Sequence, residues 1–276
     1  MRLADQMTRN KSRPFYFEGS GGQLLGCYHA PELLYDGNRG VVLCYPLGRE
    51  YIQFHRAYRQ LAVRLSQAGY PVLRFDYYGT GDSAGDFPEA RIDRWLADVS
   101  TAIDALKRKA EVSSICLVGL RLGGSIALMT AVDRGDVKRL VLWDPVVSGC
   151  VYLDELTELH RYMLRHAHVR PQLEHGSDGM TEILGLSFPQ SLLHDLRRLD
   201  VLSIKRAPAS CVLLIESRVP STQHLLRDHL SRIGADVALR TFHSPALWTW
   251  MEDFGQQLVP SEVLSSITSW LSGDST

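Results

Sequence analysis

Hydrophobic residues along the chain fall into short runs at two different spacings. Six of these runs are mostly continuous, at residues 40–45, 71–76, 114–119, 139–144, 211–216 and 237–242. Continuous apolar runs of this length are typical of strands that are covered on both faces. Ahead of them, residues 14–18 and 23–29 flank a glycine-rich turn at 19–22 and predict an opening hairpin.

Helical spacing separates most of the strand-like runs. Phe54, Tyr58, Leu61 and Leu65 recur every three or four residues, which would give a helix one apolar side. Similar patterns predict helices over 92–106, 122–132 and 262–271. Alternating strands and helices indicate an α/β fold, with a mostly parallel central sheet and helices on both faces.

The alternation stops between residues 147 and 207. This segment has two helix-like stretches, 152–168 and 190–199, separated by loop signals at Pro171, Gly176 and Gly179. We interpret residues 147–207 as a mainly helical cap inserted into the sheet domain. That domain would then comprise residues 1–146 and 208–276.

Composition narrows the range of partners. The 276 residues include 30 Lys plus Arg and 31 Asp plus Glu, which gives a net charge of -1. The chain therefore has no overall positive potential to attract a nucleic-acid backbone, and we expect no nucleic-acid partner. Residues 1–14 lack the apolar block of a secretory signal. No apolar run reaches the roughly 20 residues that span a bilayer. The five scattered cysteines suggest reduced thiols, and we expect a cytoplasmic protein.

Three glycine-rich turns contain the candidates for chemistry. Residues 119–124, Gly-Leu-Arg-Leu-Gly-Gly, join a predicted strand to a helix, and residues 44–48, Cys-Tyr-Pro-Leu-Gly, follow the first parallel strand. Residues 76–85, Asp-Tyr-Tyr-Gly-Thr-Gly-Asp-Ser-Ala-Gly, follow the next strand. Glycines suit such turns because they accept strained backbone angles and close neighbours.

Together these turns resemble the α/β-hydrolase superfamily, and within it the serine aminopeptidase-like acyl hydrolases. The D-x-x-G-x-G-x-S-x-G pattern at 76–85 is the most specific signal. Residues 119–123, together with Leu-Trp-Asp-Pro-Val-Val at 142–147, also resemble the exosortase-associated hydrolase-like proteins of bacterial exopolysaccharide loci. The resemblance implies the α/β-hydrolase fold, and a relation to enzymes that cleave esters, thioesters or amides. It also implies that the backbone N–H groups of Leu47 and Leu122 face an oxyanion.

The family's catalytic residues are not all recognisable. Its nucleophile elbow carries Ser, Cys or Asp, whereas Arg121 stands at that position here. A guanidinium stays protonated and has no lone pair to offer, so Arg121 cannot attack an acyl carbon. Asp144 and Glu216 are the candidate acids at strand ends. His243 is the candidate base, or else a histidine that only packs in its loop.

Two roles are open for Arg121. Beside the N–H groups of Leu47 and Leu122, it would attract a carboxylate or phosphate ligand. Alternatively it forms an internal ion pair, for which Asp144 is the nearest expected partner. The chain would accordingly be an acyl hydrolase that works without the elbow side chain, or a pseudo-hydrolase that binds a small acyl or anionic ligand or a protein partner.

Other residues have simpler interpretations. Ser83 is expected to stabilise its turn by local hydrogen bonds, and Asp76 to hold the same turn. Cys44 reads as an inert core thiol. The histidines form no H-E-x-x-H or comparable pattern, so we expect no metal and no cofactor.

Overall fold

The computed structural model describes residues 12–32, 38–166, 179–217, 222–243 and 259–273. Its central sheet has eight strands: β1 (Arg13–Glu18), β2 (Gln23–His29), β3 (Arg39–Cys44), β4 (Val72–Phe75), β5 (Ser114–Leu120), β6 (Val137–Trp143), β9 (Cys211–Glu216) and β10 (Asp236–Thr241). Their order across the sheet is β1-β2-β4-β3-β5-β6-β9-β10.

The sheet is parallel except at one edge. β1 and β2 form the expected antiparallel hairpin, and β2 pairs antiparallel with β4. From β4 to β10 all neighbouring strands run parallel. All the carboxyl ends of these strands therefore meet at one edge of the sheet, where the predicted turns lie together.

Seven helices accompany the sheet in the described residues. They are α1 (Arg49–Gln67), α2 (Ile92–Ala110), α3 (Leu122–Arg134), α4 (Gly149–His166), α5 (Gln190–Arg198), α6 (Gln223–Arg232) and α7 (Ser261–Ser272). α1 packs with α7, and α2 packs with α3 against β3, β4 and β5. Phe54, Tyr58, Leu61 and Leu65 of α1 are all buried, as their spacing predicts.

Five of the six apolar runs are inner strands, and the sixth is β10 at the edge of the sheet. Val41, Val42, Leu43, Leu117 and Val118 are inaccessible to solvent because helices cover both faces of the sheet. This burial provides the main stabilisation of the fold. The predicted α/β fold is confirmed.

Residues 147–207, the predicted insertion (the inserted segment), lie between β6 and β9. Helices α4 and α5 match the two helix-like stretches, as far as the described residues extend. A short hairpin between them, β7 (Met180–Ile183) and β8 (Leu186–Pro189), was not expected. Its strands are four residues long, too short to show a periodic pattern.

The inserted segment packs against the loop that joins β4 to α2. Arg91 forms a 2.6 Å ion pair with Asp195 of α5. The rings of Phe87 and Phe188 meet edge to face, with centroids 5.5 Å apart. None of the described helices is both long and apolar enough to cross a bilayer.

Candidate functional site

The turn between β5 and α3 has Arg121 at its tip. Its backbone angles are φ 51° and ψ -124°, a region that side-chain-bearing residues rarely adopt. The Arg121 N–H donates to the carbonyl of Trp143 at 3.0 Å, and its own carbonyl accepts from Gly124 N–H at 2.9 Å. The strained turn is therefore anchored on both sides.

Glycines on each side of Arg121 make this turn possible. A Cβ at Gly123 would lie 2.2 Å from the carbonyl oxygen of Tyr45, and one at Gly119 would lie 2.4 Å from that of Gly123. These obstacles are backbone atoms that have little room to move. The small residues are thus required by the close approach of α3 to the ends of β3 and β5.

The Arg121 side chain is buried among acidic groups from two other elements. Its Nε donates to Glu50 of α1 at 2.8 Å, and its Nη2 forms an ion pair with Glu155 of α4. The Tyr152 ring lies under the guanidinium at 5.2 Å, and the Tyr152 hydroxyl donates to Glu50 at 3.0 Å. Arg121 thereby connects the sheet domain to the inserted segment.

These contacts keep the Arg121 guanidinium protonated. Burial lowers its pKa, but the carboxylates of Glu50 and Glu155 outweigh that effect and raise the pKa above its ordinary value. An internal ion pair is present, as one interpretation expected. The expected partner was wrong, because Asp144 offers Arg121 its backbone carbonyl at 3.5 Å.

A pocket of about 270 Å³ lies beside this turn. Its aromatic walls are Tyr45, Tyr51, Phe75, Tyr77, Phe87 and Trp95. Aliphatic side chains complete it, from Leu47, Ile52, Leu122, Ile126 and Leu186. Arg121 itself is not among the residues that line the pocket, so its charge is directed into the ion pairs instead.

Both residues of the predicted oxyanion contact border this pocket. Leu122 is the first residue of α3, where N–H groups have no acceptor within the helix. Leu47 precedes Gly48, whose φ of 62° suits a glycine and whose Cβ would lie 2.7 Å from Leu186. Leu186 of the inserted segment therefore lies against the loop that contains Leu47.

Part of the turn at residues 76–85 also lines the pocket. The Ser83 hydroxyl donates to the Asp76 carbonyl at 2.6 Å and accepts from Leu25 N–H at 2.9 Å. The Asp76 carboxylate accepts from Asp82 N–H at 3.3 Å and from the Tyr51 hydroxyl at 2.9 Å. The local roles expected of Ser83 and Asp76 are confirmed.

Asp76 is buried and lines the pocket. Burial raises its pKa, and the hydrogen bonds from Asp82 and Tyr51 offset only part of this effect. Within the described residues no basic side chain lies within ion-pair distance of it.

The predicted catalytic residues occupy three different settings. The carboxylate of Asp144 is fully buried and accepts hydrogen bonds from the backbone N–H and the hydroxyl of Ser217. Glu216 accepts a hydrogen bond from Thr241 at 3.2 Å. His243 is exposed and makes no hydrogen bond or ion pair to any described residue. The loop at 218–221, expected to supply an acid, lies outside the described residues.

Two possible substitute nucleophiles are inert in this setting. Burial raises the pKa of Cys44 to about 12, so its thiol stays protonated at neutral pH. Ser125 is fully buried, and its hydroxyl donates to the carbonyl of Val146 at 2.7 Å. The interpretation of Cys44 as a core thiol is confirmed.

Sequence reasoning missed Glu50, Tyr152 and Glu155. Glu50 lies only three positions after Leu47 in the sequence. This short spacing could have indicated that a carboxylate lies near Arg121. Tyr152 and Glu155 are three residues apart on α4 and share a helix face, but nothing in the sequence says what that face meets. No cluster of three potential metal ligands occurs in the described ranges.

Comparison with known proteins agrees with this architecture. The sequence model of the family described as serine aminopeptidase, S33, matches residues 50–198, more than half of the chain. The structure is similar to the Pyrococcus furiosus esterase Pf2001, with a TM-score of 0.65 and 16% identity over 98% of this chain and 95% of that one. It is also similar to Est1E from Butyrivibrio proteoclasticus with ferulic acid bound, with a TM-score of 0.63 and 15% identity over 93% and 97%.

Curated relatives match a smaller part. The human mitochondrial palmitoyl-protein thioesterase ABHD10 is 33% identical over 86 residues, which are 30% of this chain and 27% of the relative. The bovine protein is 36% identical over 66 residues, 24% of this chain and 20% of the relative. The match thus spans about a quarter of the length of these relatives. From the family match and the shared fold, the chain belongs to the serine aminopeptidase S33 family of α/β-hydrolases, and part of it is similar in sequence to thioesterases.

Proposed function

We propose that this chain is a non-hydrolytic member of its family, which binds an apolar ligand in the pocket beside Leu47 and Leu122. One observation carries the proposal: Arg121 stands at the strand-to-helix tip, and Glu50 and Glu155 bind its guanidinium. If that tip is the nucleophile position, the family's reaction has no attacking atom, because a guanidinium offers no lone pair.

Arg121 takes on a structural role in this proposal. Glu50 belongs to the sheet domain and Glu155 to α4, so the two ion pairs join the domain to the segment at 147–207. We propose that this segment acts as a cap and that Arg121 holds it closed over the pocket. In this proposal the protein lacks hydrolytic activity and has a binding cavity of fixed shape.

An apolar ligand is favoured over the anionic ligand that the isolated sequence suggests. Two carboxylates already neutralise the guanidinium, and an anion would have to displace one of them from a buried site. The pocket walls are aromatic and aliphatic side chains, which favour a ligand with an apolar body.

The arrangement of the candidate acids and base also disfavours hydrolysis by a mechanism that does without an elbow nucleophile. It would need His243 or a carboxylate to activate water near the N–H groups of Leu47 and Leu122. The His243 side chain is exposed, and the Asp144 carboxylate is bonded to Ser217. A catalytic role for His243, Asp144 or Glu216 stays a prediction that an activity assay can test.

The narrower family assignment is also a proposal. The residues at 119–123 and 142–147 support membership of the exosortase-associated subgroup. The scattered cysteines support a cytoplasmic location, which cell fractionation would test.

The first test is an activity screen of the purified protein on short-chain 4-nitrophenyl esters and acyl thioesters, with a serine-directed fluorophosphonate probe alongside. We expect no turnover above background and no labelled serine. Turnover that His243→Ala abolishes, or a labelled serine in the pocket, would contradict the proposal. Arg121→Ser combined with Glu50→Gln and Glu155→Gln removes the buried charges together and asks whether a serine at the tip restores labelling.

The second test concerns the pocket. Leu186→Trp places a large ring where Leu186 borders the cavity, and it should abolish stabilisation by apolar ligands in thermal melts. Leu225→Trp is the matched control, because Leu225 is half exposed on α6 and does not line the pocket. Equal ligand responses from the two variants would show that binding occurs elsewhere.

A further inference from the structure

One carboxylate interrupts the apolar lining of the pocket. Among the described lining residues, Asp76 is the only one with a carboxyl group or a basic side chain. The rings of Tyr45, Tyr51, Tyr77 and Trp95 line the same cavity. A carboxylate among aromatic faces is the chemical setting in which organic cations are recognised, since the ring faces also attract positive charge.

The hydrogen bonds of Asp76 leave part of its capacity unused. An ionised carboxylate has about four acceptor sites. The described donors to the side chain are the Tyr51 hydroxyl and the Asp82 N–H, one for each oxygen. Both donors are neutral, so neither offsets the negative charge that Asp76 brings to the pocket.

The two buried arginines among the described residues have other partners. Arg74 donates to the Tyr45 hydroxyl at 2.7 Å and to His29 at 3.1 Å. Arg121 is bound by Glu50 and Glu155. Arg74 and Arg121 do not line the pocket, and Asp76 does.

We infer that the pocket binds an organic ammonium ion, with Asp76 as its counter-ion and the aromatic rings around its apolar body. This inference rests on the proposed function, because it names the ligand class of the same pocket. The cavity has a volume of about 270 Å³, which suits a small organic molecule. A primary amine on a single ring, such as phenethylamine, is of this size.

The test compares three probes of similar size on the whole chain at neutral pH: phenethylamine, the neutral 2-phenylethanol, and the anionic phenylacetate. Affinities are measured by calorimetry and by thermal melts. We expect phenethylamine to bind about tenfold or more tightly than 2-phenylethanol, and phenylacetate to bind least. Equal affinity for the amine and the alcohol, or no binding of any probe, would overturn the inference.

Asp76→Asn keeps an acceptor for Tyr51 and removes the charge. It should reduce amine affinity about tenfold and leave that of 2-phenylethanol unchanged. Asp98→Asn is the matched control, since Asp98 is another buried carboxyl that does not line the pocket. An unchanged amine preference in Asp76→Asn would overturn the inference. If that variant fails to fold, the three probes on the unaltered protein still decide the question.

The two proposals can fail separately. Ester turnover in a protein that still prefers the amine would contradict the proposed function alone. No turnover together with no preference for the amine would overturn the ammonium site alone.

Discussion

Arg121 and Asp76 are buried ionisable residues at the same edge of the sheet, and they differ in the charge of their partners. Arg121 follows β5 and has two carboxylate partners, one from α1 and one from α4. Asp76 follows β4, and its described partners are a hydroxyl and a backbone N–H. One charge is neutralised inside the protein, and the other faces the pocket.

The difference shows where a ligand could contribute free energy. A buried ion whose partners are already in place gains little from another charged group. A buried ion held only by neutral donors still lacks a counter-charge. Arg121 therefore contributes to the stability of the fold, and Asp76 is the group that we propose to interact with a bound ligand. The predictions that follow test this distinction.

Arg121→Ala should have the largest effect, because it removes the buried cation that both Glu50 and Glu155 bind. We expect the free energy of unfolding to fall by about 3–5 kcal/mol, measured by urea denaturation. The triple variant Arg121→Met with Glu50→Gln and Glu155→Gln removes all three charges, and it should recover most of this loss. A change below about 1 kcal/mol in Arg121→Ala would mean that the ion pairs do not hold the segment in place.

Asp98 allows the cost of a lone buried carboxyl to be measured away from the pocket. It accepts the Tyr78 N–H at 2.8 Å, its other oxygen has no partner among the described residues, and burial raises its pKa to about 6. The unfolded value is about 3.9, so between these two pH values the native state binds more protons than the unfolded chain. Protonated Asp98 therefore contributes its full stabilisation of the native state below about pH 4, and this contribution is lost as pH rises through about 6.

We expect the difference in unfolding free energy between the unaltered protein and Asp98→Asn to change by about 2 kcal/mol across that window. Urea denaturation at pH 4, 5, 6 and 7 measures it. A difference that stays constant with pH would show that the Asp98 pKa is not raised.

Ser83→Ala should weaken the turn that carries Asp76 without removing the charge. It deletes hydrogen bonds to the Asp76 carbonyl and from Leu25 N–H. We expect a loss of about 1–2 kcal/mol in urea denaturation, with the preference among the three probes unchanged. A changed probe preference would mean that the turn, and not the carboxylate, selects the ligand.

Glu155→Gln should have the smallest effect. The Glu155 side chain is 35% exposed, against 14% for Glu50, which also accepts the Tyr152 hydroxyl. We expect Glu155→Gln to cost at most about 1 kcal/mol, and less in high salt, whereas Glu50→Gln should cost more and depend less on salt. Denaturation at two NaCl concentrations separates the two, and equal costs would show that both ion pairs are equally screened.

Much of the fold could be predicted from local patterns. The predicted strand ends agree with the described ones to within two residues for β3, β4, β5, β6, β9 and β10. Such runs are informative because covered strands bury every residue, so the pattern of the sequence directly reflects the surroundings. The hairpin of β7 and β8 escaped prediction because it is short and packs against a loop remote in sequence.

Less of the site could be predicted. The sequence placed Arg121 at a strand-to-helix turn and placed Leu47 and Leu122 beside it, since turn glycines and strand order are local signals. It also suggested Asp144 as the ion-pair partner, because that residue ends the adjacent strand. The carboxylates that bind Arg121 are 71 and 34 positions away along the chain, and no local rule connects them.

The sequence by itself determined the α/β fold, the three turns at the carboxyl edge and the identity of the residue at the tip of the 119–124 turn. Steric limits on glycine-flanked turns and burial of apolar runs act over a few residues, so they can be read directly from the order of amino acids. Only the tertiary structure decided where each charge points. Ion pairs form between side chains that folding brings together, and their partners are fixed by packing across elements far apart in the chain.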